Sequence, residues 1–227
     1  MGRDDILAKS AILQRDQETY AIMARLLGGV LDVPTARCIA EVAEKYGVKH
    51  LKVTGDQRLA LFGIRGEDID AAYADLGLKP VSGGALCQQY IKVCPGTAFC
   101  SRGQRDTLTF AQKVQETYFP YPNITSKVKI GICGCFNSCA EPAIKDIGLI
   151  GLPKGWLLMV GGSGGKEPRL AETFARDLSD DQVLEALDKI LKYYRAASKA
   201  PVTRNMRLGW IMQQQGKDRL LKICGFE

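Results

Sequence analysis

Five cysteines fall in two short stretches, CPGTAFC and GICGCFNSC, as Cys94, Cys100, Cys133, Cys135 and Cys139. Cys94 and Cys100 are spaced C-x5-C, and Cys135 and Cys139 are spaced C-x3-C. Four thiolates are soft ligands that suit zinc or an iron–sulfur cluster. Structural zinc closes on tighter knuckles, C-x2-C to C-x4-C, so C-x5-C points away from it. A cubane is larger than one ion and accepts a wider arc of ligands. Glycines and small residues flank all four cysteines, which lets backbone N–H groups approach cluster sulfurs and help set their potential. Cys133 stands on the strand leading into the second stretch and reads as packing.

The rest of the composition narrows the chemistry. His50 is the single histidine, so a Cys2His2 zinc site is excluded, and any histidine triad would rest on it alone. The 227 residues are 46% hydrophobic and 25% charged, as in a globular protein with a real core. No apolar run reaches the length of a membrane span, and the N-terminus has no signal-peptide pattern, so a cytoplasmic protein without membrane contact is expected. In that compartment clustered thiols favour metal or redox chemistry over disulfides. The net charge of +6 is scattered and not interleaved with aromatics, which argues against nucleic acid and suits an anionic ligand. GGSGGKEP, around Gly161, Gly162 and Gly164, lacks P-loop spacing. Its glycines let backbone approach a ligand or make a simple turn. Cys38 and Cys224 read as helix-core thiols, with a sulfur-carrying role as the rival for Cys224.

The elements that must position these residues are legible from periodicity. TYAIMARL reads as a strand and VPTARCIAEVAEKYG as a helix, with Pro34 in its first turn and Gly47 at its C-terminal cap. KHLKVT and LALFGI read as strands around the turn GDQR, and EDIDAAYADLG as a second helix. This β-α-β-β-α order predicts a ferredoxin-like split βαβ unit over 1–79. A mixed α/β domain is expected over 80–167: YIKV as a strand, GQRDTLTFAQKVQETYF as a helix, and KVKIGI as an alternating strand. In that strand Val128, Ile130 and Ile132 share one face, and Lys127 and Lys129 the other. Two more strands are expected at 145–151 and 156–161. A helical tail is expected over 168–227, with Ser179 and Gln182 at capping-box spacing. The fold class is α+β.

CPGTAFC paired with GCFNSCAEP resembles the sirohaem and [4Fe–4S] family of sulfite and nitrite reductases. KVTGDQRLALFGI resembles that family's ferredoxin-like half-domain, and its turn is most similar to the T-G-G-Q-R form of NADH-dependent nitrite reductase. DIGLIG and GWLLMVGGSGG are similar to its cluster domain. The resemblance covers about residues 19–165. It implies that Cys94, Cys100, Cys135 and Cys139 hold a [4Fe–4S] cluster, with the Cys139 sulfur also against the sirohaem iron. It implies that Lys127 and Lys129 face a small anion, sulfite or nitrite, where the alternative is a solvated strand face. Arg58 and Arg25 become further anion or sirohaem-carboxylate candidates. Arg102 becomes a cofactor-carboxylate candidate, and Asn137 a residue that shapes the loop by side-chain hydrogen bonds.

The implied activity is six-electron reduction of sulfite to sulfide, with nitrite to ammonia as the alternative. The implied donor is a ferredoxin-like or other low-potential protein. Two departures stand out. The chain carries one ferredoxin-like unit and one cluster domain, where large sulfite reductases have two fused halves, so a partner chain, a homo-oligomer or a more open haem becomes relevant. Asp56 also stands where those enzymes carry an arginine in a T-T-R-Q turn. The rival classes are a [4Fe–4S] electron carrier without sirohaem and a structural zinc protein.

Overall fold

The computed structural model describes residues 4–24, 26–78, 80, 89–119, 124, 126–200, 202–203 and 206–226. Arg25 and Cys87 lie outside the described residues. The chain divides into two compact units, Met1–Leu86 and Cys87–Glu227.

The first unit contains β1 (Ala11–Leu13), β2 (Thr19–Ala24), α1 (Val33–Lys45), β3 (His50–Val53), β4 (Leu59–Arg65) and α2 (Ile69–Leu76). Its antiparallel sheet has the order β1-β2-β4-β3. The expected β-α-β-β-α unit is therefore present as β2, α1, β3, β4 and α2. β1 is an addition that its three residues were too few to announce. Asp32 starts α1 by accepting from the Thr35 N–H, and Pro34 fills a first-turn position where no N–H is needed. At the other end Gly47 takes φ +67° while the Val48 N–H reaches the Ala43 carbonyl, which closes the helix as a Schellman turn. Ile39 and Val42 of α1 join Ile69, Ala72, Tyr73 and Leu76 of α2 in a core over Tyr20, Ile22, Leu61 and Ile64.

The second unit is built on a five-stranded sheet of β5 (Gln89–Val93), β6 (Val128–Cys133), β7 (Ile147–Gly151), β8 (Trp156–Val160) and β9 (Glu172–Leu178), in sequence order across the sheet. β5, β6 and β7 run parallel, and β8 and β9 return antiparallel. Its helices are α3 (Gly96–Phe99), α4 (Thr107–Tyr118), α5 (Asp180–Ala197), α6 (Leu208–Gln215) and α7 (Lys217–Cys224). The expected capping box is made: the Ser179 hydroxyl takes the Gln182 N–H and the Gln182 side chain takes the Ser179 N–H. The tail is helical only from Asp180 on, because β9 first adds an edge to the sheet.

The two faces of this sheet have different tasks. Val128, Ile130 and Ile132 are fully buried, as are Ile147, Leu149, Leu158 and Val160 in the same rows of β7 and β8. Phe110 of α4 stacks on Trp156 in that layer at 4.9 Å between ring centroids. Lys129, Gly131 and Cys133 alternate onto the opposite face, which carries the cysteine loops.

Candidate cluster site

The Cys135–Cys139 loop lies flat on its sheet because two glycines leave room for it. Gly131 and Gly148 are paired across β6 and β7. A side chain on Gly131 would stand 2.9 Å from the Ala140 carbonyl oxygen, and one on Gly148 would strike the Pro142 carbonyl. The turn at Pro142–Ile144 therefore rests directly on backbone. Two residues in the loop, Ser138 and Glu141, take left-handed backbone angles of φ +55° and +56°. The Ser138 hydroxyl donates to the Phe136 carbonyl at 3.1 Å. Asn137, expected to shape the loop through its side chain, is exposed and makes no side-chain hydrogen bond among the described residues. Ser138 does that work instead.

Three more glycines bring the first cysteine loop to the second. A side chain on Gly134 would meet the Gly96 Cα at 3.1 Å and the Gly103 Cα at 3.5 Å, and one on Gly103 would meet the Gly96 carbonyl carbon at 2.5 Å. The Gln104 N–H donates to the Gly134 carbonyl at 2.8 Å, and the Thr107 hydroxyl to the Cys94 carbonyl at 2.6 Å. Cys94 and Cys135, far apart in the chain, are thus joined through backbone packed on backbone. Cys94, Cys100 and Cys135 are half-buried, Cys139 is exposed and Cys133 is buried.

Cys94 is prepared to be a thiolate. The Gly134 N–H donates to its Sγ at 3.0 Å. A hydrogen bond from the Cys133 thiol, then the Gly134 and Gly96 N–H groups and the Thr107 hydroxyl, hold its pKa down at about 5 against the effect of burial. Among the described residues no three His, Cys, Asp or Glu stand close enough to enclose a single metal ion. A cubane spaces its four thiolates more widely than one ion does. The donor set of four thiols on two clasped loops, with an N–H already aimed at one sulfur, fits that group.

Beside the loop stands a group of cations. Lys129 Nζ lies 5.0 Å above the centre of the Tyr90 ring, its register neighbour on β5. Burial pushes the Lys129 ammonium below its usual pKa, with Arg207, Lys127 and Lys145 adding repulsion and Asp146 opposing. Lys127 is exposed directly before the same strand. Glu141 accepts from Lys92 at 2.7 Å and Lys145 at 2.9 Å, which ties the cluster loop to β5 and holds its carboxyl at about 2. The fully buried Asp146 accepts from Arg207 at 2.8 and 2.7 Å and from the Lys129 N–H at 2.8 Å. Burial pushes its carboxyl up, while Arg207 and the Lys129 N–H oppose the shift. The Tyr194 hydroxyl lies 2.9 Å from the Lys127 carbonyl and 3.0 Å from that of Met206. Asp146, Tyr194 and Arg207, and the Lys92 partner of Glu141, were missed in the sequence because these contacts join residues distant in the chain and follow no spacing rule.

The other expected residues are placed as follows. Gly161 and Gly162 are buried, and the room they leave is filled by protein: a side chain on Gly162 would meet the Ala143 carbonyl at 2.6 Å, and one on Gly161 would meet Met212 at 2.9 Å. Gly164 is exposed beside Ile144. Arg102 is exposed on the turn after Cys100. Arg58 belongs to the first unit, is 5% exposed, and has its Nε 2.9 Å from Asp56. Arg25 lies outside the described residues. Cys224 is buried and its thiol is pushed up to about 11, which suits packing.

Residues 87–226 match the nitrite and sulphite reductase 4Fe-4S domain, and residues 12–79 the nitrite/sulfite reductase ferredoxin-like half domain. The chain belongs to the nitrite and sulfite reductase family. Within this family it is 39% identical to an assimilatory-type sulfite reductase of Nitratidesulfovibrio vulgaris, over 82% of this chain and 85% of that one. It is 34% identical to the NAD(P)H nitrite reductase of Bacillus subtilis over 82% of this chain, but spans only 23% of that larger protein. The fold is shared with dissimilatory sulfite reductase I, with a TM-score of 0.79 at 13% identity over 92% of this chain and 69% of that one. It is also shared with the NirA protein of Mycobacterium tuberculosis, with a TM-score of 0.78 at 17% identity over 91% of this chain and 39% of that one.

Proposed function

We propose that this protein is an assimilatory-type sulfite reductase that carries a [4Fe–4S] cluster and sirohaem. The observation that carries the reading is that Lys129 stands on the sheet face that carries the cysteine loops, with Lys127 directly before its strand. Cys94, Cys100, Cys135 and Cys139 would hold the cluster. Cys139, the exposed member, would present its sulfur to the sirohaem iron. When bound, the two groups supply stepwise electron transfer and an iron centre for the anion. Sulfite takes six electrons and seven protons to give HS⁻ and three waters.

The chain's own residues bind the anion and move protons. Lys127 and Lys129 neutralise the anion and hold it in one orientation. Lys129, with its lowered pKa, gives up a proton more readily than an ordinary lysine and regains it from solvent. Tyr90 fixes where that ammonium stands. Arg102, exposed on the turn after Cys100, is the candidate for a cofactor carboxylate. The donor in this reading is a low-potential protein of ferredoxin type, in the cytoplasm.

Nitrite is the second reading, favoured by the Thr54–Arg58 turn, whose T-G-D-Q-R sequence resembles the nitrite enzymes. The deciding experiment is the visible spectrum of anaerobically purified protein with iron and acid-labile sulfide analysis, followed by viologen-driven turnover of sulfite and nitrite. A chlorin Soret band with cubane iron, and faster turnover of sulfite, are expected. Cubane iron without chlorin in fully loaded protein would leave an electron carrier, and zinc alone would overturn both. Lys127→Ala combined with Lys129→Ala should lower turnover by about 10²-fold or more, the order of an electrostatic contact to the reacting group, with cluster content unchanged.

A further inference from the structure

Cys133 is one thiol more than a cubane needs, yet its position is tightly defined. The β5–β6 register runs Gln89 to Val128 through Val93 to Ile132, and the Cys94 N–H continues it by donating to the Ile132 carbonyl at 3.0 Å. The next pair in that register is Cys94 and Cys133. Parallel neighbours point to the same side of the sheet, so both thiols stand on the face that carries the cluster loop. Cys133 is 1% exposed, and its Sγ accepts the Ala140 N–H at 3.0 Å. That N–H occupies a lone pair of Cys133 and leaves its thiol hydrogen to be directed along the sheet face, on the side where Cys94 is its register neighbour. Cys94 already accepts the Gly134 N–H at 3.0 Å and, as an iron-bound thiolate, has no proton to give.

We infer that Cys133 is a positioning residue that donates an S–H···S hydrogen bond to the Cys94 thiolate and thereby raises the reduction potential of the cluster. The inference rests on the reading of Cys94 as a cluster ligand. A donor to a ligand sulfur draws charge from it and favours the more negative, reduced cluster. The Ala140 N–H orients the donor, and Ala140 follows Cys139 directly. The relay therefore joins the two cysteine loops through sulfur as well as through backbone.

The test is an EPR-monitored redox titration of the holoenzyme and two variants, with iron and acid-labile sulfide measured on each. Cys133→Ala should shift the cluster midpoint to a more negative potential at full cluster content. Cys133→Ser, which keeps a donor, should stay closer to the native value. Equal midpoints for native and Cys133→Ala protein would overturn the inference while leaving the cubane intact. Absence of cubane iron in the native protein would overturn the ligand reading instead. Should Cys133→Ala fail to load, native protein decides. Pulsed electron–nuclear double resonance on the reduced cluster in H₂O and D₂O should find an exchangeable proton that carries no ¹⁵N coupling in labelled protein. Only ¹⁵N-coupled amide protons at the cluster would refute the S–H donor.

Discussion

Glu141 shows how one side chain can hold a cofactor loop. Its left-handed backbone begins the Pro142 turn, and its carboxylate lies between Lys92 of β5 and Lys145 of the same loop. Lys145 is itself only 5% exposed, so the clamp faces inward on one side. The two hydrogen bonds hold the folded carboxyl at about 2, below the usual carboxylate value of 4.5. A depressed carboxyl contributes stability that is fully present above the unfolded value and is lost as pH falls from there through about 2. Glu141→Gln should therefore cost about 1 kcal/mol at neutral pH, discounted for its half-exposed side chain, and almost nothing near pH 2. Denaturant melts of both proteins across that range would check it. The A-E of GCFNSCAEP was visible in the sequence as part of a motif. Its partner Lys92 was not, because only the sheet brings the two together across 49 positions.

At the level of elements, the start of α6 is pinned to the strand that carries the lysines. Arg207 reaches Asp146 at the entrance to β7, and Asp146 accepts the N–H of Lys129. Removing the arginine leaves a fully buried carboxylate uncompensated. Arg207→Ala should destabilise by about 3–5 kcal/mol. Arg207→Met with Asp146→Asn should recover most of that, since the amide oxygen of the new side chain would still accept the Lys129 N–H. Chemical unfolding of the three proteins is the measurement. The alternation of KVKIGI, the Asp32 and Ser179 caps and the αL turn at Gly47 were all legible, because each follows a local rule. β9 was not. Its buried residues Phe174 and Leu178 follow buried Ala171 at intervals of three and four, the spacing of a helix. Two irregularities in its pairing with β8, and the left-handed Asp177 at φ +57°, let a strand present that pattern.

Over the whole molecule, the cysteine spacing and the β-α-β-β-α order were enough to place the chain in its family. They left the support of the site unread, since the contacts of Arg207, Tyr194 and the glycines exist only once the chain is folded. No described helix is long and apolar enough to cross a membrane. The contact among Gly96, Gly103 and Gly134 has a bearing on how the holoprotein is made. Zinc-finger domains are unfolded without their metal, because the metal is what closes the chain. Here the two cysteine loops are closed by their own backbone, on a sheet whose other face is a buried apolar layer. Stripping iron with a chelator under anaerobic conditions should leave far-ultraviolet circular dichroism and the main melting transition in place, and cluster reconstitution should then restore the visible bands. Collapse of both on chelation would contradict a preformed mould. Folding and cofactor arrival are then separate in time: a newly made chain can wait, finished in shape, for whatever machinery delivers its iron.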